Sequence, residues 1–524
     1  MRFLLHHSVT QSAERFPDHE AIRFSSQSLT YAELESRTNR LAQVLIEQGL
    51  GRGDRVGIYM NKSLETATAV YGIMKAGGAY VPLDPFAPPG RNSYVMKNCG
   101  IRHLITSDNK LDQLEQIQAE YAGLECLIGL QPQDALTVRC IPWQEVDMAP
   151  SSGPDLNLTE QDLAYILYTS GSTGDPKGIM HTHRSGLSFA EWAASTYSLE
   201  PADRLSNHAP LHFDLSTLDY FASATAGATT VIIPEVLTKF AANMAKLIEQ
   251  EAITVWYSVP FALIQLLERG GLDDRDFSSL RWILFAGEVF PTKHLRSLMS
   301  KLPQVRFSNL YGPTETNVCT YYHVTSLPES DDPVPIGKPC ANVEDLVVDP
   351  DGAPVSPGEV GELLIRGGVV MKGYWGMPEK TAKGFYRRKV FGDYEDIFYR
   401  TGDLVQLEAD GNYKYLGRKD RQIKTRGYRV ELDEVEVAIL SYAGVQEAAV
   451  YAVPDGGGSN LIEASAIPKP GDPLTEADVI EHIAGRLPSY AMPVKIEIVA
   501  DFPRTSTGKI NRRELQTRAT AKYA

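Results

Sequence analysis

Residues 168–178 read Tyr-Thr-Ser-Gly-Ser-Thr-Gly-Asp-Pro-Lys-Gly. Thr169, Ser170, Ser172 and Thr173 supply hydroxyls, Gly171 and Gly174 let backbone N–H groups approach an anion, and Lys177 adds a cation. The apolar run ahead of it, residues 163–168, reads as a buried strand. A strand that empties into such a loop is a phosphate cradle; the plainer alternative is a Ser/Gly-rich surface loop. It is not a Walker A loop, in which Gly and Lys are adjacent and a Ser or Thr follows: here Pro176 precedes Lys177 and Gly178 follows it. His212-Phe213-Asp214-Leu215 sets an acid in apolar company, as a helix cap or as a ligand contact. Residues 307–316, Phe-Ser-Asn-Leu-Tyr-Gly-Pro-Thr-Glu-Thr, offer Asn309 to hydrogen-bond a base, Tyr311 to stack on it, and Glu315 to hold Mg²⁺, a hard ion that prefers oxygen ligands. His181 and His183 have no further ligand cluster nearby and read as a polar helix start rather than a metal site.

The elements that must position these groups follow from patterning. Thr30 and Glu33 form a capping box before a helix with Leu34, Leu41 and Leu45 on one face. Residues 55–60 read as a strand, 64–76 as a helix stopped by Gly77-Gly78, and 103–106 as another strand. Strands alternating with helices predict a parallel α/β sheet. Residues 254–260 and 280–288 read as buried strands ending at a turn, the second at Gly287 and Glu288. Ligands in open α/β sheets lie beyond the carboxyl ends of strands, so these ends and residues 307–316 are expected to face one cleft with the phosphate loop. From residue 334 onward, strands alternate with turns, which predicts a β-rich subdomain.

The chain has 524 residues, with 43% hydrophobic and 22% charged, as expected of a globular protein with more than one domain. The 51 basic and 66 acidic residues give a net charge of −15, which disfavours nonspecific binding to nucleic acid or an anionic membrane. The five cysteines are widely spaced with no Cys-x-x-Cys, which suits a reducing cytoplasm better than a disulfide or zinc framework. The first residues hold too short an apolar run for a signal peptide, and no stretch is long and apolar enough to span a membrane. A cytoplasmic protein is expected.

The phosphate loop resembles that of the adenylate-forming superfamily: acyl-CoA synthetases, luciferases and the adenylation domains of nonribosomal peptide synthetases. Its other motifs follow in order: Tyr311-Gly-Pro-Thr-Glu315, Tyr399-Arg-Thr-Gly-Asp403, Tyr415-Leu-Gly-Arg418-Lys-Asp420, and Arg504-Thr-Ser-Thr-Gly-Lys509. The resemblance implies a large N-terminal core (residues 1–417) of two βαβ-type sheets plus a β-barrel-like subdomain. It also implies a small mobile α+β domain (418–524) that pivots near Asp420. ATP contacts fall on Thr169, Ser170, Gly171, Ser172, Thr173, Gly174, Lys177, Gly287, Glu288, Asn309, Leu310, Tyr311, Gly312, Thr314, Asp403, Tyr415, Arg418 and Lys509. Asp403 would take the ribose hydroxyls, Glu315 Mg²⁺, and Lys509, Glu315 and Thr169 the catalytic work. The implied chemistry joins a carboxylate to AMP with release of pyrophosphate, then passes the acyl group to a thiol.

Amino-acid-activating members carry an aspartate at the position of Asp214, where it pairs with the substrate ammonium. Pocket positions carry over to Phe213, Asp214, Leu215, Leu218, Tyr257, Leu284, Ala286, Leu310, Val318 and Cys319. One acid on an apolar wall disfavours charged and amide side chains, and Tyr257 takes volume, which leaves proline, valine, leucine and cyclic analogues. The set resembles that of stand-alone ligases that load L-proline onto a phosphopantetheinylated carrier protein. The chain stops 15 residues after Lys509, so the carrier is expected in trans. Residues 418–429, six basic against one acidic, and Arg512-Arg513 are its candidate contacts. Cys319 is expected in the wall, not as a nucleophile. The rival readings are an acyl- or aryl-CoA ligase, a D-alanyl-carrier ligase, and a non-catalytic adenylate-binding protein.

Overall fold

The computed structural model describes residues 2–171, 174–456, 458–470, 474–504 and 510–522. Ser172, Thr173 and Lys509, all expected at the site, lie outside the described residues.

Two mixed sheets dominate the first three hundred and forty residues. One has nine strands in the order Lys338–Pro339, Thr320–Val324, Arg306–Tyr311, Trp282–Ala286, Val255–Ser258, Arg204–Asn207, Thr229–Ile232, Glu20–Phe24, Gln27–Thr30. The other has eight: Gly373–Tyr374, Lys177–Thr182, Leu163–Thr169, Ala79–Pro82, Arg55–Tyr59, His103–Thr106, Cys126–Ile128, Arg139–Ile141. Their interiors are parallel, and antiparallel strands close the edges, among them Thr320–Val324 on Arg306–Tyr311 and Lys177–Thr182 on Leu163–Thr169. Helices cover both faces, so a central strand such as Trp282–Ala286 is buried along its whole length and has no polar face. Tyr71, Tyr165 and Phe221 lie in one core cluster shared by the two sheets, with the Tyr71 hydroxyl donating to the Tyr220 carbonyl at 2.7 Å.

Local signals behave as their chemistry dictates. Thr30 caps the helix Tyr31–Glu47: Glu33 N donates to Thr30 Oγ1 and Thr30 N to Glu33 Oε2, a motif that stabilises by about 1 kcal/mol. The helix Leu64–Lys75 ends two residues before Gly77, whose φ of +82° continues the chain in a left-handed conformation. Thr182 caps the helix His183–Thr196, so the two histidines do flank a helix start.

The β-rich segment differs from the barrel-like expectation. Strands Val343–Val348, Val360–Gly367, Tyr394–Leu407, Phe385–Phe391 and Tyr413–Arg418 form an open antiparallel sheet. No backbone ladder joins Val343–Val348 to Tyr413–Arg418; instead the Tyr413 hydroxyl donates to Asp345. The concave face packs on Tyr311, Cys319 and Ile336, so apolar burial against the nine-stranded sheet replaces closure by strand pairing.

Beyond residue 418, the hairpin Gln422–Thr425/Tyr428–Glu431 turns through Arg426 and Gly427, with φ of +51° and +85°. This is the positive-φ pair of a two-residue turn. A Cβ on Gly427 would lie 2.6 Å from Val259 Cγ1, so only glycine permits this contact with the core. Strands Val445–Pro454, Asn460–Pro468 and Lys495–Ile498 carry helices Leu432–Leu440, Glu476–Ala484 and Arg512–Thr520 around clusters of their own. Among the described residues no helix is long and apolar enough to cross a membrane.

Candidate active site

The expected strand ends do converge. Parallel register sets Tyr257 beside Leu284 and Ala286 beside Leu310, and the period of two points Leu284 and Ala286 to the same face. With Leu218 and Val318, these residues belong to one buried cluster, against which Leu215 packs. Asp214, Tyr257, Ala286 and Val318 line a cavity of about 90 Å³ that also takes in Thr169, Ser170 and Thr314. Asp214 is not a side-chain cap: the following turn is held by its backbone carbonyl, which accepts from Thr217 N and Oγ1. Burial raises the Asp214 carboxyl above its ordinary pKa, against the Thr314 hydroxyl, Lys424 and Arg429. Cys319 packs away from this wall, with Tyr311 and Ile336, and burial pushes its thiol up to about 12.

A second cavity of about 350 Å³ adjoins it, lined by Gly287, Glu288, Asn309, Leu310, Tyr311, Asp403, Tyr415 and Arg418. Asp403 accepts from the Tyr311 hydroxyl at 2.5 Å and from Arg418 Nη1 at 3.0 Å. Arg418 also grips Asp420 through Nε and Nη2, both at 2.7 Å. Asn309 Nδ2 donates to the Pro335 carbonyl. Thr169 Oγ1 is buried without a hydrogen-bond partner among the described residues. An orphaned hydroxyl on the wall of the Asp214 cavity is the kind of group a phosphate oxygen would satisfy.

Glu315 is fully buried and saturated. Its carboxylate pairs with Arg429 Nη1 at 2.6 Å and Lys177 Nζ at 3.4 Å, and accepts from the Tyr374 hydroxyl at 2.8 Å. Burial opposes its ionisation, but Arg429 and then Lys177 outweigh burial and hold the carboxyl well below the usual range. Lys177 is pushed down to about 8 by burial and by Arg429. Among the described residues His181 hydrogen-bonds the Thr314 carbonyl through Nε2 and the Ser185 hydroxyl through Nδ1, and burial takes it to about 4. Among the described residues no group of three or more His, Cys, Asp or Glu side chains could hold a metal alone. A single carboxylate is nonetheless the donor type that Mg²⁺ uses when phosphates complete its shell.

The run of basic residues in 418–429 turns inward rather than forming an open basic surface. Arg418 pairs with Asp403 and Asp420, Lys419 with Glu362, Arg421 with Asp433 and Glu436, and Arg429 with Glu315. Lys424 lies between Asp403 and Asp214, its pKa lowered by burial. Arg512 is taken by Glu436, which leaves Arg426 and Arg513 as the exposed arginines of the two stretches. Acidic side chains of the core and of the helix Leu432–Leu440 pair with these cations, which composition along the chain could not reveal. Lys424, Gln422, Tyr428 and Tyr374 were missed as site residues; the local charge reversal was the only signal for the first. Tyr428 stacks on Tyr490 and meets Phe213 edge-on. A third cavity of about 420 Å³, lined by Lys62, His208, Glu235 and Met244, shares Phe213, Leu215, Gly427 and Tyr428 with the Asp214 cavity.

Comparison with known proteins agrees with this geometry. The AMP-binding enzyme family matches residues 9–375, and the AMP-binding enzyme C-terminal domain matches 434–509. An L-proline--[L-prolyl-carrier protein] ligase of Pseudomonas fluorescens is 36% identical over 97% of this chain and 98% of its own. One of Streptomyces coelicolor is 37% identical over 94% and 92%. The fold is that of the amide bond synthetase McbA from Marinactinospora thermotolerans, with a TM-score of 0.86 and 23% identity, covering 98% of this chain and 99% of that one. A family model that matches residues 9–375 and relatives alike along nearly the whole chain make this protein a member of the AMP-binding enzyme family.

Proposed function

We propose that the chain activates L-proline with ATP and passes the prolyl group to the phosphopantetheine thiol of a separate carrier protein. It is an AMP-forming ligase. The observation that carries the substrate reading is Asp214, a buried carboxylate that lines one cavity with Leu215, Tyr257, Ala286 and Val318. Proline's ring nitrogen is a cation whose charge Asp214 would balance, and the narrow apolar surround favours a compact side chain. The full-length likeness to two proline ligases supports the same substrate.

In the first step a carboxylate oxygen of proline bonds to the α-phosphorus and the bond to pyrophosphate breaks. The protein's part is to hold the carboxylate in line and neutralise charge on phosphate oxygens. Thr169, Ser170, Gly171, Ser172, Thr173, Gly174 and Lys177 would hold phosphate, Asp403 the ribose, and Lys509 the carboxylate and phosphate together. Glu315 would hold Mg²⁺, which supplies Lewis-acid stabilisation of the phosphates. In the second step the thiol sulfur bonds to the prolyl carbonyl carbon, its proton leaves, and AMP departs. The cavity that meets the Asp214 site at Phe213, Leu215, Gly427 and Tyr428 supports entry of a long thiol-bearing arm from that side. We place the boundary between residues 417 and 418, with Asp420 as the pivot; the two apolar clusters built only from residues beyond it support it. A cytoplasmic location suits ATP, the carrier and the free cysteines.

The test is ATP–pyrophosphate exchange with L-proline, D-proline, L-pipecolate, L-valine, L-leucine, D-alanine and benzoate. L-Proline should dominate. Exchange with another amino acid keeps Asp214 as the anchor and discards proline. Exchange with benzoate alone discards the anchor.

A further inference from the structure

The acid and the wall of the Asp214 cavity come from two loops far apart in the chain. Asp214 lies in the turn that follows the strand Arg204–Asn207, and Val318 in the loop between Arg306–Tyr311 and Thr320–Val324. One side chain joins them. Asn317 Nδ2 donates to Thr217 Oγ1 at 2.8 Å, and Asn317 Oδ1 accepts from Val318 N at 2.8 Å; both bonds are buried. Thr217 Oγ1 in turn donates to the Asp214 carbonyl at 2.5 Å, and Thr217 N donates to the same oxygen at 2.9 Å. Asn317 itself lines the cavity with Asp214 and Val318.

The partners fix the direction of the amide. Val318 N–H can only donate, so Oδ1 faces it, and Nδ2 meets a lone pair on a hydroxyl whose proton is committed to Asp214. Aspartate would bring no donor for Thr217, and a hydroxyl side chain offers one polar atom where two are used. Asparagine also suits the backbone. Asn317 has a φ of +52°, a conformation that asparagine adopts more readily than most residues. Gly312 makes room for this bend: a Cβ there would lie 1.6 Å from the Asn317 carbonyl oxygen. A buried chain of bonds with every member satisfied holds its ends rigidly. Here the ends are the turn that carries the acid and the backbone of a wall residue.

We propose that Asn317 is a positioning residue for the amino acid: it fixes the spacing between Asp214 and Val318, and with it the preference of the pocket for a five-membered ring. Loss of this tie lets the two loops move apart, so proline binds more weakly and a six-membered ring is penalised less. The proposal rests on the reading of Asp214 as the amine anchor.

The experiment is ATP–pyrophosphate exchange by the full chain with L-proline and L-pipecolate, with KM for ATP and a thermal melt measured in parallel. Asn317→Gly removes the amide and keeps the left-handed backbone free of strain. Its KM for L-proline should rise roughly five- to tenfold, the worth of one buried hydrogen bond, while KM for ATP stays at the parent value. Its preference for L-proline over L-pipecolate in kcat/KM should fall about fivefold, part of what one methylene is worth in a tight pocket. Thr217→Val should reproduce the rise in proline KM, and Thr217→Ser, which keeps the hydroxyl, should restore the parent value. The double variant Asn317→Gly/Thr217→Val should be no worse than the poorer single one, because both break the same chain of bonds. An Asn317→Gly protein with the parent KM for proline and the parent preference overturns the proposal. So does an equal rise in KM for proline and ATP with a lowered melting temperature, which would make Asn317 a structural residue only. If Asp214→Asn leaves proline exchange at the parent level, the anchor reading fails and this proposal falls with it. If Asp214→Asn abolishes exchange while Asn317→Gly changes neither KM nor preference, this proposal alone falls.

Discussion

Replacing Asp214 by asparagine keeps the shape of the pocket and removes its charge. In the proposed complex the proline ammonium would then be buried opposite a neutral amide. Breaking a buried ion pair from one side costs about 3–5 kcal/mol, equivalent to roughly two to four decades in kcat/KM for proline. The empty protein should respond in the opposite sense. The folded Asp214 carboxyl sits above the ordinary carboxylate range because burial penalises the charge. A raised carboxyl pKa destabilises the fold as pH rises from the unfolded value through the folded one, and that penalty is in full force at neutral pH. Asp214→Asn removes it, so the melting temperature at pH 7 should hold or rise. The same shift sets a pH dependence for binding: KM for proline should rise as the medium is acidified toward that raised value, where the anchor takes up a proton. Exchange kinetics over a proline series, with thermal melts of both proteins, check all three. Asp214→Asn within tenfold of the parent in kcat/KM, with a normal melt, would refute the anchor and with it the amino-acid reading of the pocket.

Lys509→Ala should lower adenylation about a hundredfold, the effect of losing one charge-assisted contact worth ~3 kcal/mol in the transition state. It should leave thioester formation from added prolyl-AMP nearly intact, and equal losses in both steps would contradict the role. Asp420→Pro removes the acceptor gripped by Arg418 and stiffens the pivot; adenylation should persist while carrier loading falls by more than tenfold in a gel-shift assay. Full loading would mean that the pivot lies elsewhere. Thr169→Val deletes a buried hydroxyl that has no hydrogen-bond partner among the described residues. KM for ATP should rise about fivefold, the worth of roughly 1 kcal/mol, without loss of melting temperature. A lower melting temperature with unchanged KM would make Thr169 structural.

Much of the site was legible because its parts are contiguous. A phosphate loop is a local arrangement of glycine, hydroxyl and lysine, and Tyr311 to Glu315 is one turn at a strand end, so each motif carries its own chemistry. The Thr30–Glu33 box and the helix stopped at Gly77 are local in the same sense. Legibility failed where a side chain's role depended on a distant partner. Six basic residues within 418–429 look like an exposed patch along the chain, yet Glu315, Asp403, Glu362 and Glu436 draw most of them inward. Cys319 neighbours Val318 in sequence but joins a different cluster, because the chain bends at Asn317 and Val318 before the strand Thr320–Val324 begins.

The sequence by itself determined the α/β class, the order of the motifs, and the acid and apolar residues from which a proline pocket can be built. Those depend on residue type and on spacings of two to five positions, which the chain carries wherever it is folded. Only the tertiary structure decided that the sheet after residue 343 stays open, that Tyr374 and Lys177 share Glu315, and that Arg429 reaches that carboxylate from more than a hundred residues away. These are consequences of packing and long-range charge. A buried carboxylate must find a counter-charge, and which cation answers depends on how two separately folded parts of the chain come to rest against each other.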